Sequence, residues 1–183
     1  MKRNIYFQLA AVVSALTLLL FLYGLYFADN PRKIPSAQIG KPAYNFSATT
    51  FGGEKISLEQ FKGRPIVLNF WASWCTTCWK EARILESTHR KYTPQGAVFI
   101  GIAVNDRREA SLRFIRKYKK TYMLAPDDKI GTIALEYGVT AVPETFLIDK
   151  GGIIHNKVLG AIEDSILEEF IRAELNLDRL GPS

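Results

Sequence analysis

Apolar and polar positions divide the chain into one long uncharged run and a mixed remainder. The run extends from Ile5 to Ala28 and follows a short basic start, Met1–Asn4. At about 1.5 Å per helical residue, it is long enough to cross a hydrocarbon core of ~30 Å. The pattern therefore predicts a transmembrane anchor at residues 5–28, preceded by a cytoplasmic N-terminus at residues 1–4.

A cleaved signal peptide is the alternative for this segment. The apolar core of a signal peptide is usually about 7–15 residues long, which is shorter than this run. In addition, Tyr26–Ala28 is a poor cleavage site. Aromatic residues at Tyr23, Tyr26 and Phe27 are typical of a membrane interface. These features favour an uncleaved anchor that contacts membrane lipid.

The charges that flank the anchor give its expected orientation. Lys2 and Arg3 favour a cytoplasmic N-terminus, although Arg32 and Lys33 lie close to the other end. Because the N-terminus is short and basic, the remainder is expected on the periplasmic side of the inner membrane.

Beyond a proline-containing linker at residues 29–37, short apolar runs alternate with segments of helical periodicity. Two nearly continuous apolar runs, 66–71 and 97–104, are typical of strands buried on both faces. Glycine pairs at Gly52 and Gly151 divide two further regions into predicted β-hairpins. The other predicted elements are a helix from the mid-seventies to about 92, helices at 109–120, 130–137 and 163–175, and a short strand at 122–124.

This order of elements predicts an α/β fold. Strand–helix alternation followed by a hairpin and a helix gives a central mixed sheet flanked by helices, with an added N-terminal β-hairpin. One domain is expected at residues 38–178, with a tail at residues 179–183.

Charge adds little to this picture. The net charge is +6, and seven basic residues lie between Arg107 and Lys120, on and beside the predicted helix 109–120. We interpret them as a solvated helix face, with anionic lipid or an acidic partner as the alternative. Nucleic acid is not expected as a partner.

The two cysteines of the chain, Cys75 and Cys78, follow the predicted strand 66–71 directly. At a helix start, a separation of three residues places two cysteines about one turn apart, within reach of a disulfide. Unpaired N–H groups and the helix dipole stabilise a thiolate at the first position, and the second thiol can close the ring. The motif therefore predicts a redox-active dithiol.

Three other roles compete with redox exchange for the cysteine pair. A three-residue loop constrains the unfolded chain little, which argues against a purely structural disulfide. A zinc site needs about four ligands, and His89 and His155 are isolated in the sequence. Copper binding by Cys75 and Cys78 alone stays open, although no His or Met lies nearby in sequence. No metal or other cofactor is expected.

Two segments resemble the thioredoxin superfamily and, within it, the membrane-anchored TlpA/ResA/CcmG (DsbE) group of cytochrome c maturation. They are residues 69–81, NFWASWCTTCWKE, and residues 138–149, GVTAVPETFLID. The second segment is the more discriminating, and the likeness extends over roughly residues 39–175. It implies a thioredoxin-like fold and thiol–disulfide exchange.

The resemblance also assigns roles to individual residues. Cys75 is expected to attack the substrate disulfide and Cys78 to resolve the mixed disulfide, while Glu81 handles the proton of Cys78. Pro143 falls at the position of a family cis-proline, although an ordinary strand entry is the simpler interpretation. The residues expected to contact substrate are Trp74, Thr76, Thr77, Val142, Pro143 and Glu144.

Asn69 marks a departure from cytoplasmic thioredoxins, which carry a buried aspartate at this position. An amide cannot accept a proton, so Glu81 becomes the better candidate for the proton acceptor. The alternative is that Glu81 is an ordinary residue of the first helical turn, favoured there by the helix dipole.

By the same resemblance, the substrate is the oxidised Cys-x-x-Cys-His haem site of apocytochrome c. The dithiol would be regenerated by a membrane thiol-electron transporter, because an oxidising compartment cannot reduce it. A general disulfide reductase or isomerase with other clients is one alternative, and a non-catalytic copper metallochaperone is another. A peroxidase fits less well, because a second cysteine one turn along the helix suits dithiol exchange.

Overall fold

The computed structural model describes residues 2–27 and 37–177, which form two separate units, a helix and a domain. Apart from Ala37, the expected linker at 29–37 lies outside the described residues, and so does the expected tail at 179–183. Helix α1 (Lys2–Phe27) contains residues 5–27 of the apolar run. Its segment Tyr6–Tyr23 is long and apolar enough to cross a membrane, and none of it is buried. The side chains of Tyr26 and Phe27, predicted at the membrane interface, are outside the described part.

The domain follows the predicted order of elements. Its strands are β1 (Ser47–Thr49), β2 (Lys55–Ser57), β3 (Ile66–Trp71), β4 (Val98–Ala103), β5 (Met123–Pro126), β6 (Glu144–Ile148) and β7 (Ile154–Leu159). Its α-helices are α2 (Thr76–Tyr92), α3 (Arg108–Tyr118), α4 (Thr132–Glu136) and α5 (Asp164–Leu175). Short 3₁₀ helices occupy Leu58–Phe61 and Thr93–Gln95.

Five strands form a mixed sheet in the order β5-β4-β3-β6-β7. Strands β3, β4 and β5 are parallel, whereas β6 runs antiparallel to both β3 and β7. All residues of the two central apolar strands, β3 and β4, are buried, as their continuous apolar runs predict. The predicted α/β fold with a central mixed sheet is therefore confirmed.

Each face of the sheet has its own hydrophobic core. Alternate residues of β3 point to opposite faces, so Trp71 and Phe70 belong to different cores. The core that contains Trp71 is completed by residues of α2, α3 and α5 and includes both cysteines. The core that contains Phe70 is completed by α4 and by the N-terminal hairpin β1–β2. The motif thus sits at one end of the central strand, backed by packed helices.

The N-terminal segment of the domain covers both edges of the sheet. At one edge, the amide of Phe51 donates to Leu124 O of β5 over 2.8 Å. At the other edge, the chain before the hairpin pairs with the start of β7, where Ile154 N donates to Lys41 O and Gly40 N donates to Ile154 O. The predicted hairpin is therefore confirmed, and it lies over the β5 edge.

One residue of the predicted basic helix face is not solvated. Helix α3 ends at Tyr118, and Lys119 adopts a left-handed conformation with φ 52°. This turn directs the chain inward, so Lys120 is only 6% exposed. The interpretation of Lys120 as part of a solvated face is wrong, because the helix stops before it.

Candidate active site

Cys75 and Cys78 form a disulfide at the N-terminus of α2, with Cα atoms 5.3 Å apart. Cys75 is the N-cap of the helix, and its Sγ accepts a hydrogen bond from the amide of Cys78 over 3.1 Å. After reduction, the same amide and the helix dipole are placed to stabilise a thiolate at Cys75. Both cysteines belong to the core behind the sheet and have little exposed surface.

The loop before Pro143 lies beside the first cysteine. The carbonyl oxygen of Val142 is 3.4 Å from Cys75 Sγ. The Val142–Pro143 peptide bond is cis, as the resemblance implies. Val142 is half-buried, whereas Pro143 is buried. The structure therefore brings the dithiol and the loop together.

The remaining residues expected to contact substrate differ in their exposure. Trp74 is 59% exposed, and its Nε1 donates to Asn105 O over 3.1 Å, which fixes the ring beside the motif. Thr76 is exposed and Thr77 is half-buried in the first turn of α2. These three side chains are available to a bound polypeptide.

Glu144 has a different position from the one expected of a substrate contact. It is 1% exposed, and its Oε1 accepts from Thr140 N, Thr140 Oγ1 and Ala141 N over 2.9–3.1 Å. Its Oε2 lies 2.8 Å from Lys157 Nζ, which also donates to Gly138 O. Glu144 and Lys157 thus hold the loop before Pro143 from behind, and Glu144 faces away from solvent.

Glu81 lies one turn after Cys78, with only 1% of its surface exposed. Its Oε1 accepts from Asn69 Nδ2 over 2.8 Å, and its Oε2 accepts from Ile162 N over 3.0 Å. Burial raises the pKa of Glu81 to about 7, although these hydrogen bonds and the charge of Lys120 oppose the rise. A carboxylate with this pKa can take up and release a proton near neutral pH.

Asn69 determines how the carboxylate is presented. Its Nδ2 donates to both Glu81 Oε1 and Thr145 Oγ1, so the amide links β3, α2 and β6. The position at which cytoplasmic thioredoxins carry an aspartate is therefore occupied by an amide that donates to Glu81. The amide contributes two donors, and the only buried carboxylate that it contacts is Glu81 among the residues described here.

Asp106 was missed by the sequence reasoning. Its carboxylate accepts from Ser73 N, Ser73 Oγ and Ser111 Oγ over 2.7–2.8 Å. These bonds fix the loop that leads from β3 to Cys75. A signal for this role exists in the sequence, because Asp106 follows the apolar run of β4, and parallel neighbouring strands end at the same edge of a sheet.

Comparison with known proteins gives one consistent result. A family model described as the AhpC/TSA family matches residues 39–157. The thiol:disulfide interchange protein DsbE of Pseudomonas fluorescens biotype C is 35% identical over 156 residues, which are 84% of each chain. The thiol-disulfide oxidoreductase ResA of Bacillus cereus is 36% identical over 151 residues, 82% of this chain and 84% of the relative.

Solved structures agree with these relatives. A DsbE-type thiol:disulfide interchange protein of Chlorobium tepidum superimposes with a TM-score of 0.70 at 26% identity. The match covers 76% of this chain and 99% of that one. The similarity therefore extends over almost the whole of that chain.

Proposed function

The chain belongs to the AhpC/TSA family and is a thiol-disulfide oxidoreductase of the DsbE/ResA type, and from this premise we propose that it reduces the haem-binding cysteines of apocytochrome c. The observation that carries the proposal is the disulfide at the N-terminus of α2 beside the Val142–Pro143 loop. The client is proposed from the likeness of residues 138–149 to proteins of cytochrome c maturation.

The first half of the reaction belongs to Cys75. Its thiolate attacks one sulfur of the client disulfide, and the other client sulfur leaves as a thiolate and takes up a proton. The product is a mixed disulfide between Cys75 and the client. The N-terminal position of Cys75 on α2 favours its thiolate form, which is the nucleophile in disulfide exchange.

The second half belongs to Cys78 and Glu81. Cys78 loses its proton to the Glu81 carboxylate and attacks Cys75 Sγ, so that the second client sulfur leaves as a thiolate. Two electrons have then passed to the client, and Cys75 and Cys78 are joined, as in the structure. Glu81 is suited to this role because its raised pKa of about 7 approaches the usual range of a thiol.

The cellular setting completes the proposal. Helix α1 anchors the chain in the inner membrane, and the domain lies on the periplasmic side. Because that compartment is oxidising, a membrane thiol-electron transporter supplies the two electrons that reopen the disulfide.

Trapping of the mixed disulfide tests this function. The Cys78→Ala variant lacks the resolving thiol, so it should accumulate covalent adducts on Cys75 when it is expressed in cells that make c-type cytochromes. The Cys75→Ala variant is the matched control and should accumulate none. We expect mass spectrometry of the adducts to identify apocytochrome c through a Cys-x-x-Cys-His peptide.

The other outcomes separate the alternatives. Adducts with unrelated proteins and none with apocytochrome c would indicate a general reductase or isomerase. Stoichiometric copper on the purified wild-type protein, together with no disulfide turnover, would indicate a metallochaperone.

A further inference from the structure

Lys120 is a buried lysine in the domain that carries the dithiol. It follows the end of α3 and belongs to no hydrogen-bonded strand. Its Nζ lies 4.2 Å from the ring centre of Trp71, 5.0 Å from that of Tyr122 and 5.3 Å from that of Phe114. Lysine is almost never fully buried unless its charge is compensated. A lysine held among three aromatic rings therefore requires a partner.

Two carboxylates act on Lys120, and both are on α2. They are Glu81 and Glu86, whose charges stabilise the ammonium form. Glu86 already has its own partners, since it accepts from Arg90 Nε over 2.6 Å and from Thr121 N and Thr121 Oγ1. Lys120 is therefore not needed to compensate the charge of Glu86.

Glu81 has no such cation of its own. It accepts hydrogen bonds from the neutral groups Asn69 Nδ2 and Ile162 N, and within residues 37–177 it forms no ion pair within 4 Å. Lys120 lies on the same side of the sheet, since its Nζ is 4.2 Å from the ring centre of Trp71, and Trp71 shares a face of β3 with Asn69, which donates to Glu81. Its positive charge acts on the carboxylate from there. The third titratable neighbour, Tyr122, directly precedes β5 and faces the lysine with its ring.

We propose that Lys120 is a positioning residue for thiol–disulfide exchange, whose buried ammonium compensates the ionised Glu81 carboxylate and so sets the pH at which Glu81 accepts the proton of Cys78. The proposal rests on the exchange function proposed above and adds a residue to it. The aromatic rings support the charged form of the lysine, because an ammonium ion is attracted to their faces.

The two groups depend on each other. Burial lowers the pKa of Lys120 to about 7 and raises that of Glu81 to about 7, and each charge counteracts the shift of the other. Their titrations are therefore coupled, and the proton equilibria belong to the pair. Removal of the lysine leaves Glu81 with a higher pKa, so the carboxylate is ionised only at higher pH.

The test is a titration of the fully reduced, detergent-solubilised chain. The thiolate absorbance and the alkylation rate of Cys78 are followed against pH in the wild type and in Lys120→Met, whose apolar side chain suits the buried site. We expect Lys120→Met to move the Glu81-dependent step upward by about one pH unit. Lys119→Met, a change at the exposed neighbouring residue, is the matched control and should superimpose on the wild type.

A second pair of variants shows whether the effect passes through Glu81. In a Glu81→Gln background, Lys120→Met should cause no further shift, because coupling disappears when one partner is removed. Lys120→Arg carries its charge over the whole pH range, so its Glu81-dependent step should lie at or below the pH of the wild-type step. If Lys120→Met does not fold, Lys120→Gln replaces it as the neutral variant.

Three results would overturn the proposal: an unchanged profile in the neutral variant, an equal shift in the Glu81→Gln background, or an Arg variant that behaves as the neutral one. The titration requires no client protein. A wild-type chain that titrates as expected but reduces no disulfide would contradict the proposed function and leave the role of Lys120 supported.

Discussion

Replacement of Glu81 by glutamine should change how the stability of the fold depends on pH. The folded-state pKa of Glu81 is raised, from an ordinary value of 4.5 to about 7, because the carboxyl group is buried. The folded protein therefore holds this proton more tightly than the unfolded chain. The stabilisation that the proton provides is complete below about pH 4.5 and is lost as the pH rises through about 7.

The size of the effect follows from the two pKa values. At about 1.4 kcal/mol for each pH unit, a rise from 4.5 to about 7 corresponds to about 3 kcal/mol. Glutamine resembles the protonated acid, because it is uncharged and carries an acceptor oxygen and a donor group at its end. Below its own lowered pKa of about 7, Lys120 is charged in both the folded and the unfolded protein. It therefore adds little to the change of the unfolding free energy with pH in that range.

Urea unfolding of the oxidised, detergent-solubilised chain measures this effect. As the pH rises from 4.5 to 8, the unfolding free energy of Glu81→Gln should increase by about 3 kcal/mol relative to that of the wild type. Glu169→Gln, which alters an exposed carboxylate on α5, is the control. A difference between Glu81→Gln and the wild type that stays constant over this range would refute the argument from burial.

Three further predictions concern the dithiol, the loop and the anchor. In the reduced protein near neutral pH, Cys75 should alkylate faster than Cys78, because it caps α2, and faster labelling of Cys78 would reverse the assigned roles. Lys157→Met should destabilise the fold by about 3 kcal/mol, because it leaves the buried Glu144 carboxylate without its cation. A loss below about 1 kcal/mol in urea unfolding, equal to that of the exposed control Lys129→Met, would contradict this. The full-length chain should remain in the membrane fraction after washes with high salt and carbonate, whereas a soluble form starting near residue 29 would identify a cleaved signal peptide.

The sequence predicts the elements that depend on local patterns. Cys75 and Cys78 stand where a buried strand passes into a helix, and the strand and the helix start are both visible in the apolar periodicity. The continuous runs at β3 and β4 identify strands that are covered on both faces. The short strand β5 is less well predicted, beginning at Met123 and extending to Pro126, because its limits are set by pairing with β4.

What the sequence leaves out depends on contacts between distant segments. Lys120 belongs to a run of bases that resembles any solvated helix face, and only the end of α3 at Tyr118 turns it inward. The contact between Asn69 and Glu81 depends on how α2 packs on β3, which no local pattern specifies. The buried position of Glu144 follows in the same way from its pairing with Lys157 on the neighbouring strand.

The covered sheet edges affect whether copies of the protein associate with one another. Molecules confined to a membrane meet at a raised effective concentration, and an open strand edge would let neighbouring sheets join. Here the segment before β3 occupies the β5 edge through Phe51 and the start of β7 through Lys41. A fragment that began at β3 would keep the dithiol but uncover both edges. Such a fragment is expected to self-associate, so a soluble version of the domain should retain residues 38–65.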